Sequence, residues 1–444
     1  MHETSSSTKR PHVVVIGGGF AGLSVVRKLK NADVDITLID RHTYNTFQPL
    51  LYQVATAALN PGDVTWFLRA VRSGQQNVRF LRGTVLSMNH ETRLIELDSN
   101  ITVKYDYLVI ATGVAANFFG IPGAEEFSMP LYRRSQSLRL RDKLFTELED
   151  TAVNNDDRYL RIIVVGGGPT GVETAGALAE MRNYDMPVTY PELDPKKIEI
   201  TLVEMGPSVL GPFHEDLREY AQKSLQKRGV VLRLETAVKE VRADGAVVEH
   251  KGKQEFLEAP IVVWASGVAA PAAIKEWGLP QGRGGRIEVD EHQRVRGFNN
   301  VFAVGDVSVN PDDALPQLAT PAIQGGKHVG EVIKATVEGK PEPKPFKYLD
   351  KGTMATIGRA SAIAQIKGLP RLKGFPAWII WVGLHIQQLM SNRNRFSAMT
   401  NLAVKYIMSR SHSAIVGETP LIASRRARVI DSYPSNSSSA TSAE

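Results

Sequence analysis

The sequence predicts an α/β protein in which one strand–helix–strand plan occurs twice. A run of apolar residues leads into a glycine-rich turn at residues 17–22, and a second run leads into the same glycine spacing at residues 166–171. Each copy is closed by a further apolar strand, which ends in Ala-Thr-Gly at 111–113 or in Ala-Ser-Gly at 265–267. Strands that alternate with helices in this way form parallel sheets. We therefore expect two Rossmann-like domains.

The first copy has the spacing Gly17-x-Gly19-x-x-Gly22, followed by a helical pattern and by a second apolar strand that ends before Asp40. In this arrangement Gly17 permits a tight turn, Gly19 lets the backbone approach a pyrophosphate, and Gly22 lets the helix pack closely on the strand. Free N–H groups at the helix N-terminus favour the negative charge of phosphates. Asp40 lies where a carboxylate accepts hydrogen bonds from a ribose, so the pattern predicts a dinucleotide site.

The second copy repeats the spacing at Gly166, Gly168 and Gly171, and its second strand, residues 198–203, ends before Glu204. An insertion precedes that strand and lengthens the usual interval between the glycine turn and the acidic residue. Two dinucleotide sites in one chain indicate two dinucleotides, and the usual pair is a flavin with a nicotinamide. We therefore expect the protein to bind both.

The composition is that of an ordinary globular protein. With 444 residues, 43% of them apolar and 23% charged, the chain can form two or three domains with substantial cores. The net charge of +6 permits contact with an anionic membrane or with nucleic acid but does not require it. The chain contains no cysteine. This excludes disulfides, thiolate-bound iron–sulfur clusters and flavoenzyme mechanisms that use a redox-active cysteine pair.

Neither a secretory signal nor a membrane-spanning helix is expected. Residues 1–10 are polar and lack an apolar core, so we expect a disordered leader. No run of about 18 consecutive apolar residues occurs.

Four stretches make the pattern more specific. They are Phe-Gln-Pro-Leu-Leu-Tyr-Gln-Val-Ala-Thr at 47–56, Gly-Gly-Gly-Pro-Thr-Gly-Val-Glu at 166–173, Lys-Gly-Thr-Met-Ala-Thr-Ile-Gly at 351–358 and Trp-Ile-Ile-Trp-Val-Gly-Leu-His at 378–385. With the two glycine turns and a later Gly305-Asp306, they resemble the type II NADH dehydrogenases, which are single-chain, non-pumping NADH:quinone oxidoreductases. The resemblance runs from about residue 12 to about residue 410.

The resemblance implies a fold and a domain plan. An NAD domain would be inserted into an FAD domain, both Rossmann-like, and C-terminal helices would lie on a membrane surface. The plan comprises a leader at 1–10, the FAD domain at 11–125 and 286–345, the NADH domain at 126–285, a membrane-association region at 346–410 and a partly disordered tail at 411–444.

FAD would bind in the first domain. By the resemblance, its adenosine diphosphate half would lie on the first glycine turn and Asp40, and Asp306 would accept hydrogen bonds from the ribityl hydroxyls. The residues implied in FAD binding are Gly17, Gly19, Gly22, Asp40, Gln48, Thr112, Gly113 and Asp306. For Asp306, a solvated position at a strand end is the alternative.

NADH would bind in the second domain, with its pyrophosphate on Gly166, Gly168 and Gly171. Glu204, at the tip of the second strand, would bind the ribose 2′-hydroxyl and repel a 2′-phosphate. This position predicts a preference for NADH over NADPH.

The resemblance implies two catalytic residues, Glu173 beside the nicotinamide and Lys351 near the flavin, where a cation would stabilise reduced, anionic flavin. Each also has a structural interpretation. Thr170-Gly-Val-Glu173 fits a capping box, in which an acid in the first turn suits the helix dipole. Lys351 fits a solvated surface position.

Family members carry a quinone-pocket signature, Ala-Gln-x-Ala-x-Gln, and the matching stretch is residues 319–324. Gln324 keeps the second Gln, whereas Thr320 and Pro321 replace the first Gln and its neighbour. We expect these three residues to line the quinone pocket. The replacement leaves open which quinone, or which other acceptor, is used.

The C-terminal region predicts contact with an anionic membrane surface. Residues 375–386 are strongly apolar and include Trp378 and Trp381, but they are too few to span a bilayer. A helical pattern at 396–407 places apolar residues on one face, with Lys405 on the polar side. The other basic residues of the region are Arg393, Arg395, Arg410, Arg425, Arg426 and Arg428. This pattern is typical of a helix that lies in the membrane interface, and a buried core or dimer helix is the alternative.

The sequence thus predicts a peripheral membrane enzyme on the cytoplasmic face that oxidises NADH through FAD and passes two electrons to a quinone. Protons would be drawn from water, and none would be pumped. An NADH:acceptor flavoreductase with another oxidant and a flavin-bearing, NADH-sensing binding protein are the alternatives. A sulfide-oxidising quinone reductase is excluded by the absence of cysteine. No segment resembles a nucleic-acid module, so the positive charge is assigned to lipid, and a homodimer is compatible with the sequence.

Overall fold

The structure is a computed structural model that describes residues 10–154 and 159–408. The predictions for the leader before residue 10, for the tail and for Arg410, Arg425, Arg426 and Arg428 lie outside these residues. The chain divides into two compact units: unit 1 comprises 10–46, 65–117 and 268–350, and unit 2 comprises 47–64, 118–267 without 155–158, and 351–408. The segments 47–64 and 351–408 therefore group with the second glycine turn. The domain plan stays a prediction.

The strands of the described residues are short. In chain order they are β1 (His12–Ile16), β2 (Asp35–Asp40), β3 (Tyr44–Thr46), β4 (Thr65–Phe67), β5 (Val78–Arg82), β6 (Val85–Asn89), β7 (Leu94–Leu97), β8 (Thr102–Lys104), β9 (Tyr107–Ile110), β10 (Ala115–Ala116), β11 (Met129–Pro130), β12 (Leu160–Val165), β13 (Ile198–Val203), β14 (Val230–Arg233), β15 (Thr236–Arg242), β16 (Gly245–His250), β17 (Lys253–Glu258), β18 (Ile261–Trp264), β19 (Val268–Ala269), β20 (Ile287–Glu288), β21 (Val301–Ala303), β22 (Ser308–Val309), β23 (Gly352–Gly358), β24 (Ser361–Ile366) and β25 (Leu372–Gly374).

The α-helices of the same residues vary more in length. They are α1 (Phe20–Lys28), α2 (Leu51–Ala55), α3 (Ala124–Phe127), α4 (Arg134–Asn154), α5 (Pro169–Glu180), α6 (Met186–Thr189), α7 (Glu215–Lys227), α8 (Ala319–Val337), α9 (Phe375–Gln388) and α10 (Asn392–Met408). A π-helical turn, Met181–Asp185, joins α5 to α6. Across residues 10–154 and 159–408, every helix is too short or too polar to cross a bilayer.

Unit 1 is built on a five-stranded parallel sheet with the order β21-β9-β1-β2-β5. Its central strand is buried, and Val13, Val14 and Val15 have no solvent exposure, as expected for a parallel sheet covered by helices. Helix α8 packs closely on α1. A Cβ on Gly326 would lie 2.4 Å from the carbonyl oxygen of Ala21, so this approach requires glycine.

Unit 2 repeats the plan with a parallel sheet of order β11-β18-β12-β13-β14. Strand β12 corresponds to β1, β13 to β2, and β18 to β9. Each unit also contains a three-stranded antiparallel sheet, β6-β7-β8 in unit 1 and β15-β16-β17 in unit 2. The predicted duplication of an α/β plan is confirmed.

One apolar stretch forms a shorter strand than the sequence predicts. The strand predicted over residues 104–113 is observed as β9, which begins at Tyr107, because Lys104 is the last residue of β8. Between them, the carboxylate of Asp106 accepts a hydrogen bond of 2.7 Å from the backbone N–H of His12. The chain turns here before it enters the parallel sheet. A local apolar pattern cannot show this contact, because its partners are 94 positions apart.

The C-terminal part of unit 2 covers one face of α5. Strand β23, in the antiparallel sheet β23-β24-β25, passes so close to α5 that a Cβ on Gly176 would lie 2.5 Å from the carbonyl oxygen of Ile357. Glu173 and Glu180 lie three residues before and four residues after Gly176, so they share this face of the helix. Two acidic side chains are thereby directed into the interior.

Candidate functional site

The first glycine turn has the backbone geometry that the fingerprint predicts. Gly17 has a φ of +105°, which L side chains rarely adopt, and a Cβ there would lie 2.2 Å from the carbonyl oxygen of Ala111. A Cβ on Gly22 would lie 1.9 Å from the carbonyl oxygen of Gly17. Helix α1 can therefore follow β1 this closely only with glycine at both positions.

The N-terminus of α1 is accessible to a ligand. Its N-cap, Gly19, provides no side-chain hydrogen bond, and a Cβ built there would meet no atom within 4 Å. Beside it, the carboxylate of Asp40 accepts hydrogen bonds from the N–H groups of Gly18, at 2.7 Å, and His42, at 2.8 Å. Uncapped N–H groups next to a carboxylate fit a dinucleotide, with the pyrophosphate on the helix and a ribose at the acid.

The second glycine turn repeats this arrangement in unit 2. Gly166 has a φ of +107°, a Cβ on Gly171 would lie 1.8 Å from the carbonyl oxygen of Gly166, and the N-cap Gly168 has no side-chain cap. The carboxylate of Glu204 accepts hydrogen bonds of 2.5 Å from the N–H of Gly167 and 2.6 Å from the N–H of Gly206. The insertion before β13 therefore leaves Glu204 at the position that corresponds to Asp40.

Thr112 and Gly113 follow β9, which pairs with β1 in the sheet of unit 1, and Asp306 follows β21, which pairs with β9 on its other side. Carboxyl ends of parallel strands share one edge, so these residues lie at the edge that carries the first glycine turn. The hydroxyl oxygen of Thr112 is buried and has no hydrogen-bond partner among the described residues. Buried polar atoms are normally satisfied, and a bound FAD would supply the missing partner.

Asp306 lines a cavity of unit 1 together with Arg286, Gly305, Pro321 and Phe346. The guanidinium of Arg286 is about half-buried; burial lowers its pKa, and the charge of Asp306 opposes this effect. Asp306 thus belongs to a charged, partly enclosed site, which differs from the alternative of a solvated strand end.

Glu173 is buried on α5, with 8% of its surface exposed. Its Oε1 accepts a hydrogen bond of 3.3 Å from the backbone N–H of Thr356 on β23. Burial raises the pKa of Glu173 to about 8, and this N–H contact acts in the opposite direction. The capping-box interpretation is wrong, because the N-cap of α5 is Gly168 and no side chain caps the helix.

Two further predicted residues of unit 2 are Gln48 and Lys351. Gln48 begins a short 3₁₀ helix before α2 and is partly exposed. Lys351 precedes β23 and is exposed. A strand rises about 3.3 Å per residue, so five positions separate Lys351 from Thr356 by about 16 Å. The roles of Gln48 and Lys351 stay predictions.

Thr320 and Gln324 both contact the irregular segment 340–350 that follows α8. The hydroxyl of Thr320 lies 2.9 Å from that of Tyr348. The amide of Gln324 accepts a hydrogen bond from the N–H of Leu349 and donates one to its carbonyl oxygen, both at 3.0 Å. Pro321 is buried in the cavity described above. The three residues are brought together on α8, and their role as a quinone pocket stays a prediction.

The tryptophans of α9 lie in the interior, so the prediction of a Trp-rich outer surface is wrong. Trp378 is 9% exposed and Trp381 is 1% exposed. Trp378 packs edge-on against Tyr406 of α10, and Trp381 stacks on His385. Composition does not reveal which side of an almost wholly apolar helix faces inward.

Lys405 is also buried, so its predicted place on the polar, solvated side of the helix is wrong. It is 6% exposed and forms an ion pair of 3.3 Å with Oε1 of Glu180, whose side chain is 5% exposed. The second oxygen of Glu180 accepts a hydrogen bond of 2.9 Å from the N–H of Arg359. The ion pair of Lys405 therefore connects α10 to α5, and the side chain of Lys405 is not exposed for contact with lipid.

Helix α10 buries polar side chains beside the apolar Ala398 and Leu402, and it exposes several large apolar side chains. Ser397 and Asn401 donate to the carboxylate of the buried Asp63, at 2.6 Å and 2.7 Å, and Asn394 donates to its carbonyl oxygen at 2.9 Å. The exposed large apolar residues of α9 and α10 are Phe375, Ile379, Ile380, Leu384, Phe396, Met399 and Val404. This set is called the apolar face below. Exposure of this apolar surface to water is unfavourable.

Sequence reasoning missed several residues of these sites. Thr356 contributes a backbone N–H, which carries no sequence signal. Trp381 was assigned to the surface, and Asp63 and Tyr348 lie in loops without a recognisable pattern. Each becomes visible only when its distant partner is located.

Comparison with known proteins gives independent information. A family model described as pyridine nucleotide-disulphide oxidoreductase matches residues 11–326, and one described as the NDH2 C-terminal domain matches residues 351–411. The chain is 36% identical to the type II NADH:quinone oxidoreductase NdhA of Mycobacterium tuberculosis over 433 residues, covering 94% of this chain and 92% of that protein. It is 30% identical to the type II NADH:quinone oxidoreductase of Staphylococcus haemolyticus over 379 residues, covering 81% and 90%.

Two solved structures share the fold. NDH2 from Plasmodium falciparum in complex with NADH has a TM-score of 0.84 at 22% identity, covering 90% of this chain and 99% of that one. The sulfide:quinone oxidoreductase of Aquifex aeolicus has a TM-score of 0.71 at 21% identity, covering 88% and 92%. At these identities the likeness concerns the fold alone.

Proposed function

Because this chain belongs to the type II NADH:quinone oxidoreductases, we propose that it oxidises NADH and reduces a quinone by two electrons without pumping protons. The observation that supports this best is the pair of equivalent dinucleotide sites in one chain. Each has an uncapped helix N-terminus, a glycine turn with φ of +105° or +107°, and a carboxylate held by the N–H groups of its turn.

The first site fits FAD, which when bound would supply the transfer of two electrons between nicotinamide and quinone. The first glycine turn would hold the pyrophosphate and Asp40 a ribose. Thr112, Gly113 and Asp306 would hold the remainder, and the unpartnered hydroxyl of Thr112 supports this assignment. The second glycine turn and Glu204 would hold NADH in the same way.

We propose that Glu173 holds a proton for this reaction. Because Oε1 accepts the N–H of Thr356, the proton belongs on Oε2. The pKa of about 8 keeps most molecules protonated at neutral pH. Reduction of a quinone consumes two protons, and a protonated acid near neutral pH suits a general acid. Water, which is the proton source in the mechanism predicted from the sequence, would then reprotonate Glu173.

A Glu204→Gln variant is expected to lower the ratio of kcat/KM for NADH to that for NADPH by about tenfold, equivalent to ~1.4 kcal/mol. The change removes the charge that repels a 2′-phosphate and keeps one acceptor oxygen for the turn. Steady-state kinetics with both nucleotides measures it. Glu199→Gln, on the same strand but away from its tip, is the control. An unchanged ratio would show that Glu204 does not contact the ribose.

We also propose that the apolar face lies on the cytoplasmic surface of a membrane. Its helices carry Arg393 and Arg395 on the exposed side, and the neighbouring hairpin carries the exposed Lys367 and Lys373. Apolar residues flanked by basic ones bind an anionic bilayer surface. A homodimer that buries the same face is the competing proposal.

Replacing Phe396 and Met399 together by Ser is expected to lower partition onto vesicles that contain anionic lipid by about tenfold or more, because each apolar side chain buried in lipid contributes about 1.5–3 kcal/mol. Flotation with vesicles measures this. Val188 and Met205, at 60% and 76% exposure elsewhere in unit 2, provide a matched double-Ser control. Unchanged flotation with a shift from dimer to monomer in sedimentation would favour the homodimer and overturn the membrane proposal.

Quinone-dependent oxidation of NADH by the purified protein tests the proposed function. We expect turnover with a short-chain quinone in the absence of oxygen, and little with NADPH. Turnover with a soluble electron acceptor but none with any quinone would favour the NADH:acceptor flavoreductase. NADH binding without turnover with either acceptor would favour the NADH-sensing binding protein.

A further inference from the structure

Two aromatic side chains of unit 2, Tyr52 and Trp381, interact electrostatically with Glu173 and belong to a larger aromatic cluster. The rings of Tyr52 and Trp381 lie 6.3 Å apart. Trp381 stacks on His385, with ring centroids 4.0 Å apart and an interplanar angle of 22°. Phe47 approaches His385 edge-on, at 6.2 Å.

Two N–H groups are directed at this carboxyl, and both contacts are incomplete. The bond from the backbone of Thr356 is long, at 3.3 Å. The indole N–H of Trp381 acts on the same carboxyl and favours its charged form, yet its buried nitrogen has no hydrogen bond of standard geometry among the described residues. A buried donor without an acceptor costs free energy, so the arrangement is better suited to another state of Glu173.

That state is the carboxylate. A hydrogen bond to an ionised carboxylate is shorter and about twice as strong as one to a neutral group. When Glu173 gives its proton to water, Oε2 becomes a free acceptor, and the indole N–H of Trp381, which already acts on this carboxyl, is a side-chain donor without another partner among the described residues. The same side chain then satisfies both the new charge and the unpartnered nitrogen.

We infer that Trp381 is a positioning residue for Glu173, whose indole N–H completes a hydrogen bond to the carboxylate each time Glu173 loses its proton. The inference rests on the proposed function only in the use that it assigns to the proton, which is quinone reduction. The indole packs independently of Glu173 on the ring of His385, and that ring is itself held by a hydrogen bond of 2.7 Å from its Nδ1 to the backbone carbonyl oxygen of Trp381, one turn earlier on α9.

The other titratable groups around Glu173 come from every element packed against it. They are Tyr52 from α2, His385 from α9, Tyr406 and Lys405 from α10, Glu180 from α5 and Arg359 after β23. Burial raises the pKa of both tyrosines well above the usual range and lowers that of His385 to about 4. The tyrosines and the histidine therefore stay neutral while Glu173 titrates.

A Trp381→Phe variant tests the inference, because it removes the N–H and keeps an aromatic ring. Infrared difference spectroscopy of the protein without substrates follows the carboxyl band of Glu173 as the pH is raised, and the Glu173→Gln variant identifies that band. We expect the pKa of Glu173 to rise by about one pH unit, the effect of losing one hydrogen bond to a charged group. Trp378→Phe, one turn earlier on the same helix and packed on Tyr406, should leave it unchanged. An unchanged pKa in Trp381→Phe would overturn the inference.

A second measurement applies even if Trp381→Phe does not fold. The chain has five tryptophans, so indole ¹⁵N labelling gives five N–H signals in the wild-type protein. One signal should shift with the ionisation of Glu173, and it should be constant in Glu173→Gln. If no indole signal follows this titration, Trp381 does not bind the carboxylate. Both readouts are made without turnover, so their failure is distinct from an absence of quinone reductase activity.

Discussion

Replacement of Glu173 by Gln is expected to lower kcat for quinone reduction by about a hundredfold, the lower range of general acid catalysis. The amide keeps the size of the acid and an oxygen for the N–H of Thr356, but it cannot deliver a proton from the second position. Steady-state kinetics with saturating NADH and quinone measures the effect. Glu149→Gln is the matched control, since Glu149 accepts a hydrogen bond from Tyr190 in the same unit and has no contact with Thr356 or Trp381 among the hydrogen bonds of the described residues. A variant with wild-type kcat would rule out the proton-holding role.

The same substitution is expected to change how stability depends on pH. The pKa of Glu173 is 4.5 in its unperturbed state and about 8 in the folded protein. Below pH 4.5 both states hold the proton; as the pH rises towards 8, the unfolded chain loses it first, so the free energy of unfolding of the wild type falls. Glu173→Gln does not titrate and should gain stability relative to the wild type across this window. Denaturant unfolding at several pH values measures the difference in the free energy of unfolding between the variant and the wild type. A difference that does not depend on pH would contradict the assignment of Glu173 as a buried, protonated acid.

Replacement of Lys405 by Met is expected to lower the free energy of unfolding by about 3–5 kcal/mol. The change leaves the carboxylate of Glu180 buried without its cation, with only the N–H of Arg359 as a partner. Removing one member of a buried ion pair is costly because the remaining charge stays in a medium of low polarity. Denaturant unfolding of the purified variant measures the loss.

Two further variants separate this cause from a general effect of losing a lysine. Lys334→Met removes one of two lysine partners of Glu338, in a partly exposed pair of 3.7 Å at the C-terminal end of α8, and it should cost less than about 1 kcal/mol. The double change Lys405→Met with Glu180→Gln removes both charges and should recover most of the lost stability. A double variant as unstable as Lys405→Met would show that packing, not charge, holds α10.

The glycine turns could be predicted from sequence because their requirements are local. The positive φ of Gly17 and of Gly166 belongs to the turn itself, and Gly22 and Gly171 each meet the carbonyl oxygen of the glycine that begins their turn. Asp40 and Glu204 follow from strand ends. These features need no knowledge of distant chain segments, so pattern and spacing were sufficient for them.

The environment of Glu173 could not be predicted in the same way. Its burial depends on Thr356, 183 positions later, and on aromatic side chains from α2 and α9. The capping-box interpretation failed because it considered only the residues next to Glu173 in sequence. The distinction between a surface acid and a buried one is set by tertiary packing.

The C-terminal helices show the same limit. The spacing of apolar residues correctly indicated helices over most of 375–408, but it assigned Lys405, Trp378 and Trp381 to the wrong sides. The inner side of α10 carries polar side chains as well as the apolar Ala398 and Leu402, because Asp63 and Glu180 require partners there, and hydrophobic periodicity does not indicate this. Likewise, no pattern in α8 indicates that Gln324 pairs with the backbone of Leu349.

The most direct test of the central claim is the absorbance of the flavin in the purified protein without oxygen, first after addition of NADH and then after addition of a short-chain quinone. We expect loss of the oxidised flavin absorbance with NADH and its rapid return with quinone. Loss with NADH followed by no return with quinone would contradict the claim that a quinone is the oxidant, and it would direct attention to Thr320 and Pro321. A protein that purifies with no flavin and binds none when FAD is added would contradict the claim altogether.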